Sequence, residues 1–285
     1  MQATQNASVV SRPAHFPLKK PKDCRPDVPS PAVGWGWACL WLLLAATILV
    51  GCAIAAFHVD CSVAQWFRQN HKLGHLRYLH DLASICEIFG RAECVLLVVI
   101  LMWRLDQPRH WAVPGLAATA LLSGLAADGV KMLIARARPH HFDFLGSVWS
   151  SFGPWLPLGS LGSASQSFPS AHTATAVGLA ISLICVYPAA RGLFCVLPLL
   201  VAYQRMDSGA HFFSDVLCGA AVGCLVAALT LRARWLDRQY SQWFWGRVGA
   251  IVSRLRPWRA EALDRLPACP ETAGGWGLSL RSPSR

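Results

Sequence analysis

Residues 131–139 read KMLIARARP, residues 166–172 read QSFPSAH, and residues 205–215 read RMDSGAHFFSD. Each stretch lies where an apolar run begins or ends. Together they hold Lys131, Arg138, Ser170, His172, Arg205, His211 and Asp215. Cations, histidines and a carboxylate recurring at such boundaries are the groups that would handle a phosphate. Charged side chains at the ends of apolar runs are costly enough to call for a function or a partner.

The composition says what those runs are. Residues of the apolar set make up 54% of the 285-residue chain and charged residues only 14%, against roughly 25% charged in soluble domains. With a mean hydropathy of +0.38 and thirteen tryptophans, this is the balance of a polytopic membrane protein. The net charge of +11 does not form one continuous patch, which argues against nucleic acid as a partner. Eleven cysteines without a CxxC pair form neither a disulfide framework nor a zinc site, and most lie within apolar runs as small hydrophobes.

The chain predicts an all-α bundle of six spans, at about 34–57, 84–103, 111–136, 171–188, 192–204 and 212–231. Residues 58–83 interleave Trp66 and Phe67 with Arg68, Lys72 and Arg77 and read as an amphipathic interfacial helix. In the second span Glu87 and Arg91 are four apart, the spacing of a pair on one helix face. Residues 140–167 form a Gly/Ser/Pro/Trp-rich loop in which Trp149 and Trp155 are interfacial anchors. A basic tail, 1–33, and an Arg/Trp-rich tail, 232–285, flank the domain at 34–231. Six spans place both termini on one side. Most Lys and Arg fall there too, so that side is cytoplasmic by the positive-inside rule, and all three polar clusters meet on the opposite, outer face.

Each cluster admits two readings. Lys131 and Arg138 are seven apart, two helical turns, and can point the same way, with Pro139 ending the helix. Alternatively Lys131 pairs with Asp128 and Arg138 meets headgroups. Arg136 lies off that face and reads as interfacial. Ser170 suits an N-cap, at a helix start whose free N–H groups also bind anions. His172 in the first turn can donate a proton, or merely sit at the interface. His211 and Asp215 are four apart, so the carboxylate can accept from one ring nitrogen and leave the other as a nucleophile, or the two form a structural pair. His140, His141 and Asp143 read as interfacial, and Asp207 as a local charge.

Taken together, the three stretches resemble the type 2 phosphatidic acid phosphatase (PAP2)/haloperoxidase superfamily, whose signature is KxxxxxxRP, then PSGH, then SRxxxxxHxxxD. The chain departs from it at Ala171, where the family has glycine, and at Gln204, where it has serine. The resemblance implies that Lys131, Arg138 and Arg205 bind the phosphate oxygens, with Ser170 and the Ala171 N–H completing the cradle. It implies that His211 forms a phosphohistidine, that Asp215 orients its ring, and that His172 protonates the leaving alkoxide, without metal or other cofactor. The implied substrate is a membrane lipid phosphate or diphosphate: phosphatidic acid, phosphatidylglycerol phosphate or a polyprenyl diphosphate. The alternatives are a vanadate-dependent haloperoxidase-like oxidoreductase, which is a largely soluble branch, and a non-catalytic membrane phosphate-binding protein. No feature of the sequence specifies an oligomeric state.

Overall fold

The structure, a computed structural model, describes residues 34–70, 77–158 and 162–233. The expected tails at 1–33 and 232–285 lie outside these residues, apart from Arg232 and Ala233. Eight helices follow one another: α1 Gly34–Ala56, α2 Asp60–Asn70, α3 Arg77–Cys86, α4 Ala92–Leu105, α5 Val113–Lys131, α6 Ala171–Val186, α7 Arg191–Asp207 and α8 Phe213–Ala233. Helices thus occur at all six places expected for spans, but among the described residues only three are long and apolar enough to cross a membrane: α1 from Gly36, α5 with the turn before it (Gln107–Lys131), and α8. At 14 residues α4 is about 21 Å long, short of a hydrocarbon core of about 30 Å. The second span is cut because Arg91 is extended (φ −109°, ψ 153°) and separates the 3-10 turn Glu87–Gly90 from α4. The expected interfacial helix is two helices, α2 and α3.

Helices α4–α7 and the turn before α4 share a core of Phe89, Val95, Met102, Leu116, Leu179, Leu183 and Val201 with small residues such as Ala120 and Ala176. Small side chains let helix backbones approach closely where lipid gives no hydrophobic drive between helices. The outer faces carry Trp41, Ile48 and Ile54 on α1, Leu96 and Trp103 on α4, Leu199 on α7 and Leu229 on α8, all exposed. Such a belt of exposed apolar side chains is what a lipid surround accommodates.

The bundle is not purely helical. The third span ends at Lys131 instead of 136, and the chain then forms β1 (Ile134–Arg136), paired antiparallel with β2 (Phe152–Trp155). Ala137 N–H donates to Ser151 (2.8 Å), Ser167 N–H to Arg136 (3.0 Å) and Arg138 N–H to Ala164 (3.0 Å). The first motif is therefore stitched by its backbone to the loop that leads into the second. His140 N–H donates to Gly209 (3.0 Å) and Ser170 N–H to Asp215 (3.0 Å), which ties both to the third.

Gly219 on α8 makes the last of these joints possible. A Cβ there would stand 2.4 Å from the Ser170 carbonyl oxygen, a backbone atom that cannot swing away. Gly219→Ala is expected to cost about 2 kcal/mol, in the range of overpacked sites, by displacing Ser170. Thermal unfolding in detergent micelles checks this.

Candidate active site

The first turn of α8 is where the site is anchored. Asp215, in that turn, accepts from the Phe212 N–H (2.8 Å) as a capping carboxylate. Asp60, from α2, accepts from the Ser214 N–H (2.9 Å) and from its hydroxyl. Two carboxylates at one helix N-terminus suit its positive dipole end, and a buried cation meets them both. That cation is Arg136, wholly buried, whose guanidinium donates to Asp60 (2.7 Å), Asp215, Ser214 (2.8 Å) and Ser151 (3.1 Å). The rings of Phe57, Phe152 and Phe212 surround it at 5.2, 4.8 and 4.2 Å. Reading Arg136 as an interfacial side chain was mistaken. Helical spacing put it off the Lys131–Arg138 face, but the segment is a strand, so that spacing does not apply.

His211 lies in the loop before α8, not on it. Its Nδ1 is 2.6 Å from the Ser167 carbonyl oxygen, which can only accept, so Nδ1 carries the proton and Nε2 keeps its lone pair. The expected direct bond to Asp215 is absent: Nδ1 and Oδ2 are 3.9 Å apart. Asp215 instead takes the Ser167 hydroxyl (2.6 Å), so its link to the imidazole runs through Ser167. Ser167 and Asp60 were not among the residues the motifs singled out, and nothing in their spacing marks them.

Around His211 stand Lys131, Arg138 and Arg205, all close enough to act on its charge. Burial first, then the charge of Lys131, pushes its pKa well below the ordinary histidine value, against the pull of the Ser167 carbonyl. Arg138 and Arg205 add to the downward push. The ring is thus neutral near pH 7. Protonation removes the lone pair only as pH falls below the usual histidine value of about 6.5. Lys131→Met should raise this pKa, a shift readable from the His211 ring resonances in an NMR titration.

The cations differ in how occupied they are. Lys131 Nζ pairs with Asp128 at 2.9 Å, the second of its two readings, while its side chain stays largely buried. Arg205 donates through Nε to Gln204 (2.6 Å) and through Nη2 to Glu87 (2.5 Å). Glu87 therefore does not pair with Arg91, which turns to Glu93 at 3.0 Å instead, because the break at Arg91 removes the shared helix face. Arg138 Nε is buried and has no partner among the described residues. A buried guanidinium donor left unpaired is costly unless a ligand completes it.

Ser170 caps α6, its hydroxyl oxygen accepting from the Thr173 N–H (3.4 Å) and hydroxyl (3.0 Å). Ala171 and His172 open the helix, so their N–H groups have no intrahelical acceptor. His172 is about one-third exposed, with Nε2 3.9 Å from Glu87. His140 Nδ1–H donates to the Gly209 carbonyl (2.8 Å), and Asp207 is engaged by His80. Both hold the third-motif loop in place.

A model of the PAP2 superfamily matches residues 111–239, which include all three stretches. The likeness is to the PAP2 superfamily, over this segment. Lipid A 1-phosphatase of Rhizobium johnstonii is 36% identical over 120 residues, 42% of this chain and 47% of that protein. Lipid phosphate phosphatase 1 of Arabidopsis thaliana is 26% identical over 160 residues, 48% of each chain. The chain thus spans about half the length of these curated relatives. A PAP2-type phosphatidylglycerolphosphate phosphatase crystal structure from Bacillus subtilis aligns with 71% of this chain and 97% of its own, at 18% identity and a TM-score of 0.45.

Proposed function

We propose that the chain is a membrane phosphatase that removes a phosphate from a lipid through a phosphohistidine. One observation carries the reading: His211, its Nδ1–H held by Ser167, keeps its Nε2 lone pair amid three cations, one of which has a buried, unpartnered donor. Lys131, Arg138 and Arg205 hold the phosphate oxygens, with the Ser170–Ala171 helix start beneath them. His211 Nε2 bonds to phosphorus as the ester P–O bond breaks, and His172 gives its proton to the departing alkoxide. Water, deprotonated by the now neutral His172, then attacks phosphorus, releasing inorganic phosphate and restoring both rings. The fixed cations stabilise the charge on the equatorial oxygens, so the reaction asks for no metal ion.

With a crossing at each of the six places where a helix was expected, the positive-inside rule puts the phosphate site on the extracytoplasmic face and both termini in the cytoplasm. Candidate substrates are phosphatidic acid, phosphatidylglycerol phosphate, polyprenyl diphosphates and, from the names of the curated relatives, phosphorylated lipid A. The test is phosphate release by the purified full chain in EDTA across a panel of these four. Release from at least one in EDTA is expected, and His172→Ala should slow it by roughly 100-fold, as loss of a general acid does. A folded protein that releases phosphate from none of them overturns the reading.

A further inference from the structure

Glu87 lies outside all three motif stretches, yet its carboxylate meets two of their residues. Its Oε1 is 2.5 Å from Arg205 Nη2 and 3.9 Å from His172 Nε2. The turn that carries it is pressed against the start of α6: a Cβ on Gly90 would stand 2.6 Å from the His172 carbonyl oxygen. Beside it a cavity of about 360 Å³ opens, with His172, Glu87, Arg91 and Asp128 at polar positions and Leu121 and Leu125 at apolar ones. That is room for the group leaving from phosphorus on the side of His172.

We propose that Glu87 is a positioning residue that fixes Arg205 for the phosphate and stabilises the imidazolium of His172 as it protonates the leaving oxygen. This rests on the phosphatase reading above. With Gln204 it takes two of the five guanidinium N–H groups of Arg205, which fixes the fork and leaves three donors for an oxyanion. At 3.9 Å the carboxylate is too far to take the Nε2 proton but near enough to favour the charged ring. The other charges about His172 are Arg205, Lys131 and Arg91, which oppose an imidazolium, and Asp128 and Glu93, which favour it. Lys131 and Asp128 pair with each other, as do Arg91 and Glu93. Glu87 is thus the carboxylate that offsets Arg205 beside the ring. The proton passes from His172 Nε2 to the ester oxygen as the P–O bond breaks and the N–P bond to His211 forms.

The experiment compares the wild-type chain with Glu87→Gln and Glu87→Asp on a lipid phosphate with an alkoxide leaving group and on p-nitrophenyl phosphate, whose leaving group departs without a proton. In Glu87→Gln the alkaline limb of kcat should fall by about one pH unit, and kcat on the lipid substrate by about tenfold. On p-nitrophenyl phosphate kcat should change less than twofold, because the glutamine amide oxygen can still accept from Arg205 and only the charge beside His172 is lost, and Glu87→Asp should regain most of the limb. An equal loss on both substrates at every pH, with the limb unmoved, overturns the proposal and marks a structural role only. Should Glu87→Gln fail to fold, the same limb in Glu87→Asp decides, since a limb identical to wild type with altered KM alone also overturns it. A wild-type chain inactive on both substrates overturns the phosphatase reading instead.

Discussion

His211→Gln is expected to abolish phosphate release, by roughly 10⁴-fold or more, the scale of losing a covalent nucleophile. Its Nε2 is the lone pair set among Lys131, Arg138 and Arg205, and glutamine has no basic nitrogen to replace it. The fold should survive, because the glutamine amide can still donate to the Ser167 carbonyl that now takes Nδ1–H. The cations remain as well, so inorganic phosphate, a tetrahedral oxyanion that needs no bond to the ring, should bind with affinity within a few-fold of wild type. Acid-stable labelling does not suit the intermediate: a phosphohistidine survives alkali and is lost in acid. Alkaline quench after mixing with ³²P-labelled lipid phosphate should therefore trap label on the wild-type chain and none on His211→Gln. Label retained by the variant, or turnover within tenfold of wild type, would sink the covalent mechanism.

Much of this site was legible because its chemistry is local in sequence. Ser170 reads as a cap from its own neighbours, and it caps α6. Lys131 with Asp128 follows from one helical turn. What failed was reasoning that carried helical spacing past a helix end. Arg138 and Arg136 were placed by a period that stops at Lys131, where the chain enters β1. Asp215 was given to His211 because they are four apart, but His211 precedes α8, so no shared face exists and Ser167 intervenes. Glu87 was given to Arg91 on the same grounds, across a break that extends the backbone at Arg91. Partners that meet only through folding left no mark at all. Asp60 and Asp215 are 76 and 79 residues from Arg136, and no periodicity connects them.

That buried trio makes the second large prediction. Arg136→Met should lower stability by about 3–5 kcal/mol, the cost of breaking a buried ion pair, because it strands Asp60 and Asp215 with no cation between them. The helix dipole of α8 offsets part of their charge but not the repulsion between two carboxylates that meet at its first turn. In detergent this should appear as a fall in the unfolding midpoint of roughly 10 °C. Arg136→Lys should rescue little, since one ammonium cannot reach Asp60, Asp215, Ser214 and Ser151 from a single point, nor lie flat among Phe57, Phe152 and Phe212. Asp60→Asn alone should cost less, because the amide oxygen can still accept from the Ser214 N–H. The double variant Arg136→Met/Asp60→Asn separates charge from packing. If stranded carboxylates are the cause, neutralising one should restore part of the loss, so the pair would be less damaged than the sum of the singles. Strict additivity would place the cost in the aromatic box around the guanidinium, not in the ion pairs. Phosphate release reports on the same network from the other end: once Arg136 no longer holds Asp215, the carboxylate loses its purchase on Ser167, and kcat should fall even at temperatures where the variant stays folded.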